Sequence, residues 1–156
     1  MKKFLIILTY LISSFYCFQS SERKNDNKIY LIAIQEYIKQ IDGYYFTDFY
    51  SDNKNKILYV QQEKYLNEIP NKVGKYQILM INRYNKKQYF GNNNSKLLTV
   101  VYPLKNNLQK HFINITPYRI EFYKNNYVQT VSDWTNVFFV KIENNLKFSK
   151  VENNGI

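Results

Sequence analysis

The stretch Val131-Ser132-Asp133-Trp134-Thr135-Asn136 sets a carboxylate, an indole and an amide close together inside an otherwise apolar run. Asp and Asn are poor strand formers, so the cluster implies either a bulge or a patch that faces a ligand. Trp134 offers a stacking platform for a sugar or a partner side chain. A lone Trp in a strand more often serves the core, because burying its ring stabilises a fold strongly, and core is the expectation here. With Tyr127 on the same predicted strand, Asp133, Trp134 and Asn136 make the candidate binding set.

Catalytic chemistry finds little to work with. Paired-carboxylate chemistry would need Asp133 beside Glu63, Glu68 or Glu121, and nothing in the spacing brings them together. Salt bridging is the expected role of these acids. His111 is the only histidine, and no HxH, HExxH or DxDxDG spacing accompanies it. Its place between Asn106-Asn107 and Phe112 predicts an exposed histidine at a loop edge. Serine-hydrolase elbows, P-loops and dinucleotide fingerprints are absent, and four glycines are few to build them. No catalytic residue, metal or cofactor is assigned.

The only cysteine, Cys17, lies in what reads as an export signal. Met1-Lys2-Lys3 gives a positive start, and the apolar run Phe4 to Ile12 follows. Polar residues from Ser13 onward close the segment. The run is shorter than the roughly 20 apolar residues a membrane-spanning helix needs, so residues 1–19 read as a cleaved secretory signal. The alternative is a lipoprotein leader with Cys17 as the lipidated first residue, which would tether the protein. Bulky Tyr16 just before it departs from the small residue such a leader wants. If Cys17 leaves with the leader, the mature chain has no thiol and no disulfide, and its core alone must hold it.

Without residues 1–19, which hold Lys2 and Lys3 and no acid, the 22 basic residues become 20 against 12 acidic ones, a formal charge of +8. Only Arg23, Arg83 and Arg119 are arginines. Nucleic-acid readers lean on Arg for bidentate contacts, and export removes the opportunity, so no nucleic-acid partner is expected. The Lys-rich balance reads mainly as solvated surface. The functional alternative is attraction to anionic lipid headgroups or an acidic partner.

These residues need a scaffold, and about 137 residues make one domain. Residues 20–27 read as a flexible leader and 28–156 as a single α+β domain. Tyr30, Ile34, Tyr37, Ile38 and Ile41 recur at helical spacing, which predicts one helix over 28–41 with Gly43 as its stop. From Tyr44 the period turns toward two. Strands are predicted at 44–50, 57–61, 76–83, 88–90, 97–104, 112–123, 127–142 and 146–151. Tight turns are placed at Asn144-Asn145, Lys124-Asn125-Asn126, Asn85-Lys86-Lys87 and Gly91 to Ser95. Residues 69–74 could hold a short turn of helix.

Successive hairpins imply an antiparallel sheet. The expected architecture is the helix packed across a curved antiparallel sheet, in the order of a cystatin-like or NTF2-like roll. The alternative is an eight-stranded lipocalin-like barrel enclosing a cavity.

The run Val131 to Val140, the ending Phe148 to Ile156 and the leader together resemble small exported proteins of AT-rich Gram-negative bacteria. The resemblance implies an envelope location and adds nothing to mechanism. With no catalytic motif in the chain, the expected function is non-enzymatic binding of a protein or cell-envelope component in the periplasm or outside the cell. A closed barrel would instead make a small apolar-ligand carrier. A hydrolase-type enzyme using Asp133, Glu121 or His111 is the least supported reading.

Overall fold

Residues 28–43 form helix α1, whose Ile29, Tyr30, Ala33, Ile34, Tyr37, Ile38 and Ile41 are buried at three- and four-residue spacing. Lys39 stays outside and pairs with Glu36 at 2.6 Å. The computed structural model describes residues 28–43, 56–91, 96–107, 110–123, 126–131, 133–143 and 145–155. The expected export signal with Cys17, the leader to residue 27, the strand at 44–50 and the turn at 92–95 lie outside the described residues.

The strands are β1 (Ile57–Gln61), β2 (Lys72–Val73), β3 (Tyr76–Ile81), β4 (Lys96–Val101), β5 (Lys105–Asn107), β6 (Lys110–Tyr123), β7 (Asn126–Val131), β8 (Asp133–Ile142) and β9 (Asn145–Gly155). A single 3-10 turn, Lys64–Leu66, follows β1, and the short helix α2 (Lys86–Phe90) joins β3 to β4. The sheet runs in the order β2-β3-β1-β4-β6-β8-β9, with β5 and β7 also paired to β6. The architecture is α+β: one main helix on a curled sheet that is mostly antiparallel.

Mostly is the correction. β1 pairs in parallel with both β3 and β4. The segment 62–75 carries the chain from β1 to β3, and α2 carries it back past β1 to β4. These are crossovers that a hairpin reading does not contain. Two local expectations fail with it. Residues 88–90, expected as strand, belong to α2. Residues 69–74 hold β2 and a turn at Gly74 (φ +58°), whereas the helical turn is at Lys64–Leu66. The last hairpin also shifts by one. Ile142 pairs with Asn145, so Asn145 belongs to β9 rather than to the turn, and Glu143 takes φ +55°.

The sheet is covered on both faces, unequally. Leu58, Val60, Ile78, Val101, Ile113, Ile115, Val137 and Phe139 face α1 in the main core. On the other face α2 brings Phe90 against Ile81, Leu98 and Ile120, with Tyr59, Tyr89, Tyr118 and Tyr127 around them. Polar ties fasten α1 in place. The Tyr30 hydroxyl accepts from the Leu104 amide at 3.0 Å, and Tyr65, its ring tilted against that of Tyr30, donates to the Val101 carbonyl at 2.8 Å. Burial pushes the Tyr65 phenol up to about 12.

Strand β6 is the spine, and both of its neighbours carry an extra residue near its middle. The registers Tyr118–Val131 and Ile115–Thr135 set two β6 residues, 116 and 117, against three, 132–134. On the opposite edge, Val101–Ile115 and Lys105–Phe112 set 113–114 against 102–104. A third irregularity falls at Phe138/Phe139 on the β8–β9 ladder. Such bulges bend strands and raise their twist, which curls the sheet.

Pro117 fits this plan. The Tyr102 amide donates to the Asn114 carbonyl at 2.9 Å, so even-numbered β6 residues direct their backbone groups toward β4 and odd ones toward β7 and β8. The N–H that Pro117 lacks is therefore missing where the pairing of β6 is already interrupted between β7 and β8.

Candidate ligand-binding face

Alternation along β6 and β8 sends Ile113, Ile115, Val137 and Phe139 to α1, and the residues between them to the opposite, outer face. Helix α2 covers that face over β1, β4 and the Ile120 end of β6. Over the rest of β6, β8 and β9 no described element covers it, and one row there crosses four strands. Lys105 pairs with Phe112, Phe112 with Phe138, and Phe138 with Lys150. The two rings lie 5.4 Å apart. Lys105 Nζ sits 5.7 Å from the Phe112 centroid and Lys150 Nζ 5.3 Å from that of Phe138. Each cation therefore lies against the electron-rich face of a ring.

The next row is polar. Asn114 Nδ2 donates to Asn136 Oδ1 at 2.8 Å, and Thr116 Oγ1 donates to Asn114 Oδ1 at 2.7 Å. Beyond it the Tyr102 and Tyr118 hydroxyls meet at 2.7 Å, and that hydrogen bond, with burial, pushes the Tyr102 phenol up to about 12. The amides and hydroxyls thus hold one another in place. Beside them stands Trp134, 41 % exposed. This overturns its expected place in the core. The extra residue between the β7 and β8 registers shifts the phase of β8 against β7, so that Trp134 shares with Tyr127 the side away from α1.

Of the candidate binding residues, Trp134, Asn136 and Tyr127 share the outer face. Tyr127 packs beside Phe122 at 5.1 Å, with Lys86 Nζ 4.7 Å from its ring centroid. Asp133 is in phase with Thr135 and Val137 and points to the α1 side. Burial alone pushes its carboxyl above its usual value. Among the described residues no hydrogen bond or ion pair joins it to Glu63, Glu68 or Glu121, and Glu63 accepts from Gln61 instead. No group of three or more His, Cys, Asp or Glu gathers there either.

His111, expected at a loop edge, is within β6, where Nδ1 lies 2.8 Å from Asn106 Oδ1. Sequence reasoning missed Lys105, Phe112, Asn114, Phe138 and Lys150. Their common signal is alternation in four separate segments, which becomes a surface only once the register is known.

The arrangement offers stacking, cation–π contact and amide hydrogen bonds, with no activated nucleophile among the described residues. Nor is any helix of those residues long and apolar enough to cross a membrane. Comparison with protein-family models, curated proteins and solved structures found no match.

Proposed function

We propose that the chain is a non-enzymatic exported domain that binds a protein or cell-envelope component through its outer sheet face. One observation carries this reading. Trp134, Val140 and Ile142 all expose their apolar side chains on one face of β8, beside the Lys105-Phe112-Phe138-Lys150 row. Large apolar side chains grouped in solvent and rimmed by polar ones mark interaction surfaces, and Trp is enriched where binding energy concentrates.

The element order supports a roll of the cystatin-like or NTF2-like type, with its helix against one side of a curled sheet. The apolar-ligand carrier is less well supported, because Ala33, Ile34, Ile113, Ile115 and Val137 at 0 % exposure fill the α1 side. The positive start, apolar run and polar close at 1–19 support export, with tethering through Cys17 as the alternative.

A photoreactive p-benzoylphenylalanine placed at Val140 or Ile142, in cells that export the chain, tests the face. The control position is Gln35, exposed on α1. Adducts from 140 and 142 and none from 35 are expected. Adducts from neither strand position would refute the reading.

A further inference from the structure

Among the described residues the outer face is mostly cationic. Its strand positions hold Lys72, Lys96, Lys105, Lys110, Lys147 and Lys150, and a single carboxylate, Glu152, which is bonded to Lys150. The α1 side is mixed, with Arg119 beside Glu121 on β6, Asp133 and Lys141 on β8, and Glu36 paired with Lys39 on α1. The outer lysines also surround apolar tips. Trp134, Val140 and Ile142 lie on one face of β8 over eight residues, roughly 27 Å at strand rise. Lys147 is directly opposite Val140, and Lys150 opposite Phe138.

We infer that this face docks on an anionic phospholipid bilayer. The inference rests on the outer face being the binding surface and names what it binds. Indole and aliphatic side chains enter the interfacial region, where an amphipathic ring finds both an apolar and a wet neighbour. Lysines bury their stems along that boundary and keep their ammonium groups at headgroup level. Lys105 and Lys150 now lie over Phe112 and Phe138, and would exchange ring contact for phosphate. A neutral glycan would use the amides and the indole but gives the lysines no purpose. An anionic headgroup layer uses both, and it supplies a plane as wide as the face.

Trp134 is the only tryptophan in the chain. Its emission therefore reports on this face alone, whatever other segment touches lipid. The full chain is mixed with vesicles of phosphatidylcholine, or of phosphatidylcholine and phosphatidylglycerol in equal parts. A blue shift and quenching by acyl-brominated lipid are expected with the anionic vesicles only. Each basic side chain near such a surface contributes about a five-fold factor, so K105Q/K147Q/K150Q together weaken partitioning on the order of 100-fold. Circular dichroism of the triple variant confirms that it is folded.

Unchanged emission with anionic vesicles overturns the inference. So does an equal shift with phosphatidylcholine alone, or a folded triple variant that partitions like wild type. If an acidic peptide or a single-stranded oligonucleotide moves Trp134 emission where anionic vesicles do not, the lipid assignment falls and the binding face stands. If no probe moves it and positions 140 and 142 give no adducts, both fall.

Discussion

Phe112 on β6 and Phe138 on β8 are cross-strand partners whose rings meet at 5.4 Å and 36°, each with a lysine over its outer side. The pair is half-buried on a face that α1 does not touch. It therefore links the stability of the β6–β8 ladder to the properties of the binding surface. Tilted aromatic pairs contribute about 0.5–1.5 kcal/mol beyond the area they bury. F112L, F138L and the double variant, compared by urea denaturation, should return a coupling energy in that range. Strict additivity would show that the rings share a row without supporting each other.

Burial predicts a sharp contrast between two isoleucines. Ile34 on α1 is fully enclosed, whereas Ile142 at the end of β8 is 45 % exposed. Ile34→Ala leaves a cavity in the main core and should cost about 2–5 kcal/mol. Ile142→Ala removes an apolar tip from solvent and should stay within about 0.5 kcal/mol. Urea midpoints at equal m-values measure both. An Ile142→Ala loss comparable to that of Ile34→Ala would mean that the outer face is structural rather than free for a partner.

Period made part of this fold readable in advance. In α1 five apolar positions repeat over a dozen residues, and all five are buried. In β1 the bounds 57–61 coincide with the strand. At 88–90 a three-residue window has no period to separate strand from helix. What decides there is the Asn82–Asn85 turn, where Asn82 Oδ1 accepts from the amides of Tyr84 and Asn85 and starts α2. The parallel β1 pairings depend on partners about 20 and 40 residues downstream, beyond any local pattern. Period alone does not place Trp134. Strand period assigns a face only relative to neighbours, and the extra residue at 132–134 resets the phase. The polar cluster signalled a bulge, but its effect on the indole depends on the register with β6.

Thr99 offers a test of polar satisfaction in the core. Its hydroxyl is buried, and among the described residues it meets no hydrogen-bond partner. Its cross-strand neighbours are Val60 and Pro117, whose side chains neither donate nor accept. A buried hydroxyl without a partner costs about 1–3 kcal/mol, and valine keeps the branched shape without that group. Thr99→Val should therefore stabilise the protein by about 1 kcal/mol. A destabilised variant would show that the hydroxyl has a partner after all.

Two aspartates should push stability in opposite directions as pH changes. Partial burial alone would raise the Asp42 carboxyl, but hydrogen bonds from Lys75 (2.9 Å) and Tyr76 (3.0 Å), with Lys56 at 4.0 Å, outweigh it and hold the group below its usual 3.8. The stability Asp42 contributes is therefore present above pH 3.8 and lost as pH falls through its lower folded value. Asp133 is the reverse, raised above 3.8 by burial, with no compensating partner among the described residues. The folded state holds that proton more tightly, so stability declines as pH rises from 3.8 through the higher folded value. Asp42→Asn should lower the urea midpoint at neutral pH and converge on wild type in acid. Asp133→Asn should raise the midpoint at neutral pH, and that gain should vanish below pH 3.8. Two shifts of the same sign at neutral pH would contradict the environment assigned to one of the carboxyls. The sign itself would identify which: a common loss points to an unseen partner for Asp133, and a common gain to a lysine cluster too exposed to hold Asp42.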